Sequence, residues 1–149
     1  MGIIDVVELR MQKVRQLNEP FDFYYGVEQA GPLFQREIGS RNIEVFSALY
    51  LSESFRILGY SEITVGSTYS APADIPQLMR YILLSNASKV IIAHNHPDGC
   101  CSPSELDILM TKKIGTACRI MGIQLVDSIV VTSNVYCSIR NEVARNVQS

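Results

Sequence analysis

Residues 90–97 read Val90-Ile91-Ile92-Ala93-His94-Asn95-His96-Pro97, an apolar run that ends in two histidines. Four consecutive apolar residues, rich in β-branched side chains, predict a strand at the centre of a sheet, covered on both faces. Residues two apart on a strand project to the same face, so the imidazoles of His94 and His96 can reach one metal ion. The chain has no other histidine, and composition alone therefore does not explain the pair.

A helix is predicted directly after this strand, beginning beside the two histidines. Ser102-Pro103-Ser104-Glu105 matches a capping box with proline at the first helical position, and Gly122 is expected to stop the helix. The residues expected to face the core are Leu106, Met110, Ala117 and Met121.

An acidic residue in the early turns of that helix can complete a metal site. Asp107 lies three residues after Ser104 and shares its helix face. If that face looks back at the strand end, His94, His96 and Asp107 supply three ligands and leave a fourth position open for water. An open position is typical of catalytic zinc sites, whereas structural zinc sites are closed.

Hydrophobic patterning around this unit predicts an α/β fold. Strands are expected at 45–51 and 56–65, joined as a hairpin through 52–54, and at 124–132 and 135–139. Asp74 is expected to cap a helix that ends at Asn86. Strands interleaved with helices predict a mixed β-sheet flanked by helices in a single domain.

The first forty residues carry a different pattern. Apolar residues recur at helical spacing and predict an amphipathic helix over 4–15, through Ile4, Val7, Met11 and Val14. Residues 21–25 are expected to form a short strand or a packing arm, and Gly31-Pro32 to turn the chain. We assign 1–40 to an N-terminal helix and packing arm of the same domain, and 143–149 to a polar tail.

Composition excludes several classes of protein. The 149 residues are 47% hydrophobic and 19% charged, which suits one compact domain. A formal net charge of −2 gives no general attraction to nucleic acid. No apolar run is long enough to span a membrane, and the start of the chain lacks the pattern of a signal peptide.

The four cysteines contain no CxxC pair and fit a reducing compartment, so a cytoplasmic location is expected. Cys100 and Cys101 are interpreted as loop residues, because adjacent cysteines cannot easily hold one tetrahedral ion. Cys118 and Cys137 are interpreted as small core residues.

The polar residues together resemble a known family motif. His94, His96, Ser104 and Asp107 fit H-x-H-x7-S-x2-D, the zinc motif of the JAMM (MPN+/JAB) metalloproteases. The segment around the histidines is most similar to the RadC branch, and the likeness covers about residues 41–142. It implies a JAB/MPN architecture, which is cytidine-deaminase-like, with Zn²⁺ as the cofactor.

The resemblance also implies roles for two further residues. Glu44 matches the family glutamate that acts as general base, and Ser104 is implied to support the tetrahedral oxyanion. The residues alone leave other readings open: Glu44 can be a solvated charge, Glu62 competes for the role of base, and Ser104 can satisfy free helix N–H groups. The implied reaction is hydrolysis of a peptide or isopeptide bond in a protein or peptide substrate, which includes a ubiquitin-like tail.

Two positions depart from the RadC pattern. Asp98 stands where the family usually has serine, and Ser128 stands where RadC relatives tend to carry histidine. Neither residue is a predicted ligand, and both are expected to alter the rim of the site, its charge or its choice of substrate.

Other functions stay open at this point. MPN relatives also serve as scaffolds, which leaves a non-catalytic zinc-bearing protein-interaction module, and the RadC name is attached to a DNA-repair accessory role that the net charge disfavours. Two histidines and a carboxylate also bind non-haem iron. The pattern does not fit HNH nucleases, which spread their histidines over a larger unit, or zinc base deaminases, which need H-x-E and a later P-C-x-x-C.

Overall fold

A five-stranded mixed sheet forms the centre of the structure, a computed structural model that describes residues 1–66 and 73–141. Its strands are β1 (Val45–Leu51), β2 (Ile57–Val65), β3 (Lys89–Asn95), β4 (Gln124–Val131) and β5 (Tyr136–Ser138). Their order across the sheet is β2-β1-β3-β4-β5, with β3 parallel to β4 and the other neighbours antiparallel. The strand that carries the histidines therefore lies in the middle of the sheet, and the predicted mixed α/β fold is confirmed.

Helices cover both faces of this sheet. One face packs against α1 (Val27–Phe34) and the π-helical turn Gln35–Gly39 that continues it. The opposite face packs against α2 (Ile75–Leu84) and α3 (Glu105–Ile120). Side chains alternate along β3, so Ile91 and Ala93 contact the first layer while Val90 and Ile92 contact the second. This alternation sends His94 toward α2 and α3.

Local signals place most of the element boundaries as expected. The hairpin between β1 and β2 turns through residues 52–54, and Asp74 caps α2 by accepting a hydrogen bond from the Gln77 backbone N–H at 3.0 Å. Asn86 and Gly122 follow α2 and α3 with φ values of 56° and 72°, the left-handed conformation that commonly ends a helix.

The helix predicted over residues 4–15 is wrong, because the structure has no regular element in this segment. Ile4 and Val14 are 91% and 92% exposed, so the rest of the described structure does not cover the apolar stripe. An isolated helix of this length is marginal in water without such packing.

The turn predicted at Gly31-Pro32 is also wrong, because both residues lie inside α1. Packing explains the difference: Phe34 is fully buried, and the Gly31 backbone approaches the Tyr136 ring so closely that a Cβ atom would lie 2.6 Å from it. Residues 21–25 form a packing arm, with a single bridge between Phe23 and Arg56.

Helix α3 starts later than predicted, and its buried face differs accordingly. Ser104, rather than Ser102, is the N-cap, and Asp107 is its partner in the capping box. The buried residues of the helix are Ile114 and Cys118, with Met110 packed beside them, whereas Leu106 and Met121 are exposed. Asp107 precedes these residues on the same stripe, so its carboxylate faces the sheet.

The cysteines also differ from expectation. Cys101 and Cys137 form a disulfide, with their Cα atoms 5.7 Å apart. Cys101 lies in the loop before α3 as predicted, whereas Cys137 is a half-buried, bonded residue of β5 rather than a free core residue. This bond removes the argument from cysteine composition for a reducing compartment. Cys118 is buried as predicted, and burial raises the pKa of its thiol to about 11.

Two remaining expectations concern the chain end and membranes. The polar tail predicted at 143–149 lies outside the described residues. Within residues 1–66 and 73–141, no helix is long and apolar enough to cross a membrane.

Candidate metal centre

His94, His96 and Asp107 meet at one point beside the end of β3. The Nε2 atoms of the two histidines lie 3.1 Å from each other. His94 Nε2 lies 3.1 Å from Asp107 Oδ1, and His96 Nε2 lies 3.1 Å from Asp107 Oδ2. The structure thus brings together the three ligands that the sequence predicts.

The sheet and the loop after it hold both imidazoles in place. His94 is the last but one residue of β3 and lies between Phe46 of β1 and Val130 of β4. The His96 backbone N–H continues the ladder by donating to the Val131 carbonyl at 2.9 Å. The Cys100 carbonyl lies 2.8 Å from His96 Nδ1, which turns Nε2 toward the other two ligands.

The start of α3 holds the carboxylate. The Ser104 backbone N–H donates to Asp107 Oδ2 at 2.7 Å, while the Asp107 N–H donates to Ser104 Oγ at 3.1 Å. Ser104 therefore serves as helix cap, the role that its position predicts independently of catalysis. Its hydroxyl accepts in this contact, which leaves the hydroxyl hydrogen available to donate.

Electrostatics favour an ionised carboxylate in this cluster. Burial acts to raise the pKa of Asp107, but hydrogen bonds from His94 and His96 outweigh burial and hold that pKa well below its usual range. The hydrogen bond with Asp107 raises the pKa of His96 above its ordinary value, against the opposing effect of burial. An anionic carboxylate between two imidazoles is a favourable environment for a cation.

The cluster also approaches the geometry that zinc requires. A tetrahedral ion with ligands at about 2.0–2.1 Å keeps neighbouring ligand atoms about 3.3 Å apart. The two Nε2 atoms are 3.1 Å apart, and each lies 3.1 Å from a different oxygen of Asp107. Two imidazole nitrogens and one carboxylate oxygen are a donor set that zinc accepts, and a fourth position stays available.

Glu44 lies on the same side of the sheet. Phe46 pairs with His94, so continuing this antiparallel register by two residues places Glu44 opposite His96. The negative charge of Glu44 contributes to the raised pKa of His96. Its competitor Glu62 instead forms an ion pair with Arg41, with Nη1 and Oε1 3.0 Å apart.

A cleft of about 320 Å³ connects these groups. Glu44, His94, Ser104 and Asp107 line it together with an apolar wall. The wall consists of Phe46, Ala73, Ile92, Leu106, Leu109 and Met110. Two of the three candidate ligands, His94 and Asp107, and the candidate base therefore share one partly enclosed, largely apolar space.

The two positions that depart from the RadC pattern lie around this cleft. Ser128 lines it and accepts a hydrogen bond from Thr111 Oγ1 at 3.0 Å, which connects β4 to α3. Asp98 accepts from the Cys100 backbone N–H at 2.9 Å and shapes the loop that contacts His96.

Sequence reasoning missed one buried residue of the site. Asn95 is completely buried, and its side chain contacts the backbone on both sides of Glu44. Its position between two ligands is visible in the sequence, but its partners lie about fifty residues earlier and only the strand pairing reveals them.

The fold and the cluster define a class of protein: a mixed sheet between helical layers, with a His-x-His pair at the end of its central strand and an aspartate on the next helix. A model of the RadC-like JAB domain matches residues 25–144, and the chain belongs to this family.

Relatives named UPF0758 proteins support the assignment. One from Actinobacillus pleuropneumoniae serotype 5b (strain L20) is 35% identical over 133 residues, which cover 89% of this chain and 57% of the relative. One from Coprothermobacter proteolyticus is 34% identical over 116 residues, covering 78% of this chain and 49% of the relative. One from Streptococcus suis is 33% identical over 117 residues, covering 78% and 48%. The chain thus spans about half the length of these relatives.

Proposed function

We propose that this protein is a zinc-dependent hydrolase that cleaves a peptide or isopeptide bond in a protein or peptide substrate. The observation that carries the proposal is the convergence of His94, His96 and Asp107, two of which line the same cleft as Glu44. Membership of a JAB-domain family agrees with such chemistry. A ubiquitin-like tail is one substrate of this class.

His94, His96 and Asp107 would hold the zinc ion. When bound, the ion supplies Lewis acidity and lowers the pKa of a coordinated water from 15.7 to about 7. The Glu44 carboxylate accepts a proton from the attacking water and returns it to the leaving amine. Ser104, the N-cap of α3, can donate its hydroxyl hydrogen to the substrate oxygen on which negative charge develops.

The apolar wall of the cleft favours this chemistry by lowering the local polarity. Phe46 and Ile92, which are buried, exclude water from one side of the reacting groups. Low local polarity strengthens the interaction between the developing charge and its donors. The same wall offers a surface for an apolar substrate side chain next to the cleaved bond.

The test combines metal content with cleavage. Protein purified without a histidine tag is analysed for metals as wild type and as His96→Ala and Asp107→Ala, and each is incubated with peptides and C-terminally extended ubiquitin-like substrates. Glu105→Ala, which changes an exposed acid of α3 that does not line the cleft, is the control. We expect near-stoichiometric zinc and cleavage in wild type and in Glu105→Ala, and neither in the two ligand variants.

The negative outcomes separate the alternatives. A wild type that binds zinc but cleaves no substrate would favour a non-catalytic interaction module. A wild type that gains no metal from added zinc would overturn the hydrolase. A gel shift of DNA that weakens steeply with salt would instead support a DNA-repair accessory role.

A further inference from the structure

Asn95 lies between the two histidine ligands but points to the other side of the sheet. Alternation along β3 sends His94 toward α3 and Asn95 toward the layer formed by α1. Its side chain is completely buried, so its polar atoms must find partners within the protein.

The partners of Asn95 are all backbone groups of the segment that leads into β1. Asn95 Oδ1 accepts from the Val45 N–H at 2.6 Å, and Nδ2 donates to the Ile43 carbonyl at 2.9 Å and to the Arg41 carbonyl at 3.1 Å. Both amide hydrogens and the carbonyl oxygen are thereby used. Ile43 and Val45 are the immediate neighbours of Glu44, so the bonds bracket the candidate base.

Only a short primary amide satisfies this arrangement. The site presents one N–H and two carbonyls, which require an acceptor and two donors at once. Aspartate would place a carboxylate against two carbonyl oxygens, and leucine would leave all three groups without a partner. An asparagine that served only to end the strand would need no such match.

We propose that Asn95 is a positioning residue for Glu44: its amide holds the residue 41–45 backbone against β3, so that the carboxylate of Glu44 stays at a fixed distance from the ligands His94 and His96. The inference rests on the proposed function of Glu44 as base. One strand then sets both features of the site. His94 on its α3 side is a candidate metal ligand, and Asn95 on its opposite side positions the base.

The expected effect follows from the sensitivity of proton transfer to geometry. A displacement of about 1 Å in a reacting group can cost about 100-fold in rate. Loss of the Asn95 bonds frees the backbone next to Glu44 but leaves the three ligand side chains unchanged. The rate of the chemical step should therefore fall, while metal binding and substrate binding persist.

The first test compares Asn95→Ser and Asn95→Ala with Ser47→Ala. Ser47 is also fully buried and bridges the same two strands, donating to the Ala93 carbonyl at 3.4 Å, but it lies away from the cleft. We expect about a 10- to 100-fold loss of kcat in the Asn95 variants, with KM and zinc content within twofold of wild type. Ser47→Ala should keep the wild-type kcat even if its melting temperature falls.

A second readout does not depend on activity. In metal-free protein, hydrogen exchange measured by NMR should show the Val45 N–H and the Asn95 side-chain amide protected in wild type. Asn95→Ser should lose at least tenfold in Val45 protection while Leu49, in the middle of β1, keeps its protection. If the Asn95 variants do not fold, the wild-type exchange rates alone decide whether these hydrogen bonds exist.

The outcomes distinguish this inference from the proposed function. A wild type without hydrolase activity defeats the proposed function, and the role of Asn95 in positioning a base falls with it even if the Val45 N–H is protected. An active wild type whose Asn95→Ser variant keeps full kcat overturns the positioning role alone. Rapid exchange of the Val45 N–H in wild type also overturns it.

Discussion

Ser104 and Asp107 hydrogen-bond each other in both directions, from backbone N–H to side-chain oxygen, at 2.7 and 3.1 Å. The Asp107 oxygen that accepts from Ser104 also lies 3.1 Å from His96 Nε2. The helix cap therefore fixes the carboxylate in the orientation that the candidate metal site requires, and we expect the stability of α3 and the affinity for metal to be coupled.

Ser104→Ala tests this coupling. The change leaves the Asp107 N–H without its acceptor and should lower the free energy of unfolding by about 1 kcal/mol. Zinc affinity should fall by up to about 10-fold: the Ser104 backbone N–H that donates to the Asp107 carboxylate is retained, but the first turn of α3 that carries both groups is less firmly held. Urea unfolding and a zinc titration measure the two effects. Ser102→Ala, which changes a serine outside the observed cap, should alter neither, and equal losses in both variants would contradict the assigned cap.

Glu44→Gln tests whether Glu44 acts as the general base without being a zinc ligand. Glutamine keeps the size of the side chain but cannot accept the proton, so turnover should fall by about 100- to 10,000-fold. Zinc content should equal that of wild type, since Glu44 is not among the three ligands. Glu62→Gln is the matched control and should retain activity. A fully active Glu44→Gln protein would refute the assignment of the base.

The pH dependence of stability should reverse when zinc is added. Without metal, the pKa of His96 is raised by Asp107, so the stabilisation by this pair is present below the ordinary value of 6.5 and is lost as pH rises through the raised pKa. With zinc, the imidazole must lose its proton to bind, so zinc stabilises the fold more as pH rises through the same range. The difference between the melting temperatures measured with zinc and with chelator should therefore grow as pH rises. Parallel curves would contradict the prediction that zinc binds at His96.

Gly31→Ala tests the packing that keeps α1 helical through Pro32. The new Cβ would lie 2.6 Å from Tyr136 Cδ2, so the ring or the helix must move, and we expect a loss of about 1–3 kcal/mol in the free energy of unfolding. Gly115→Ala is the control. Its Cβ would meet Leu125 at 3.7 Å, and the gain in helix propensity should stabilise the protein by up to about 1 kcal/mol. Chemical denaturation compares both with wild type.

The parts of the fold that were predictable depend on contacts close in sequence. The apolar run before His94 predicts the central strand, and the spacing to Asp107 predicts the third ligand, because strand and helix periodicity act over a few residues. Asp74 as cap and Gly122 as helix end are local signals of the same kind.

The parts that were missed depend on what each segment packs against. Residues 4–15 have the pattern of an amphipathic helix, but their apolar side chains stay exposed and form no helix. Helix α1, in contrast, tolerates Pro32 because the sheet buries Phe34. The disulfide between Cys101 and Cys137 joins residues 36 positions apart, and Asn95 meets Val45 across 50 positions. No spacing rule reaches so far along a chain.

The candidate ligands lie close together along the chain, whereas the candidate base lies far from them. Asp107 is only 11 positions from His96, whereas the Val45–Asn95 bond that brackets Glu44 spans 50 positions. Short loops close at little entropic cost, so the segment 94–107 can gather around an ion before the sheet is complete. Glu44 arrives only when β1 docks on β3. Metal content of a preparation would therefore report the order of residues 94–107, and zinc loading by itself would not show that Glu44 is in place.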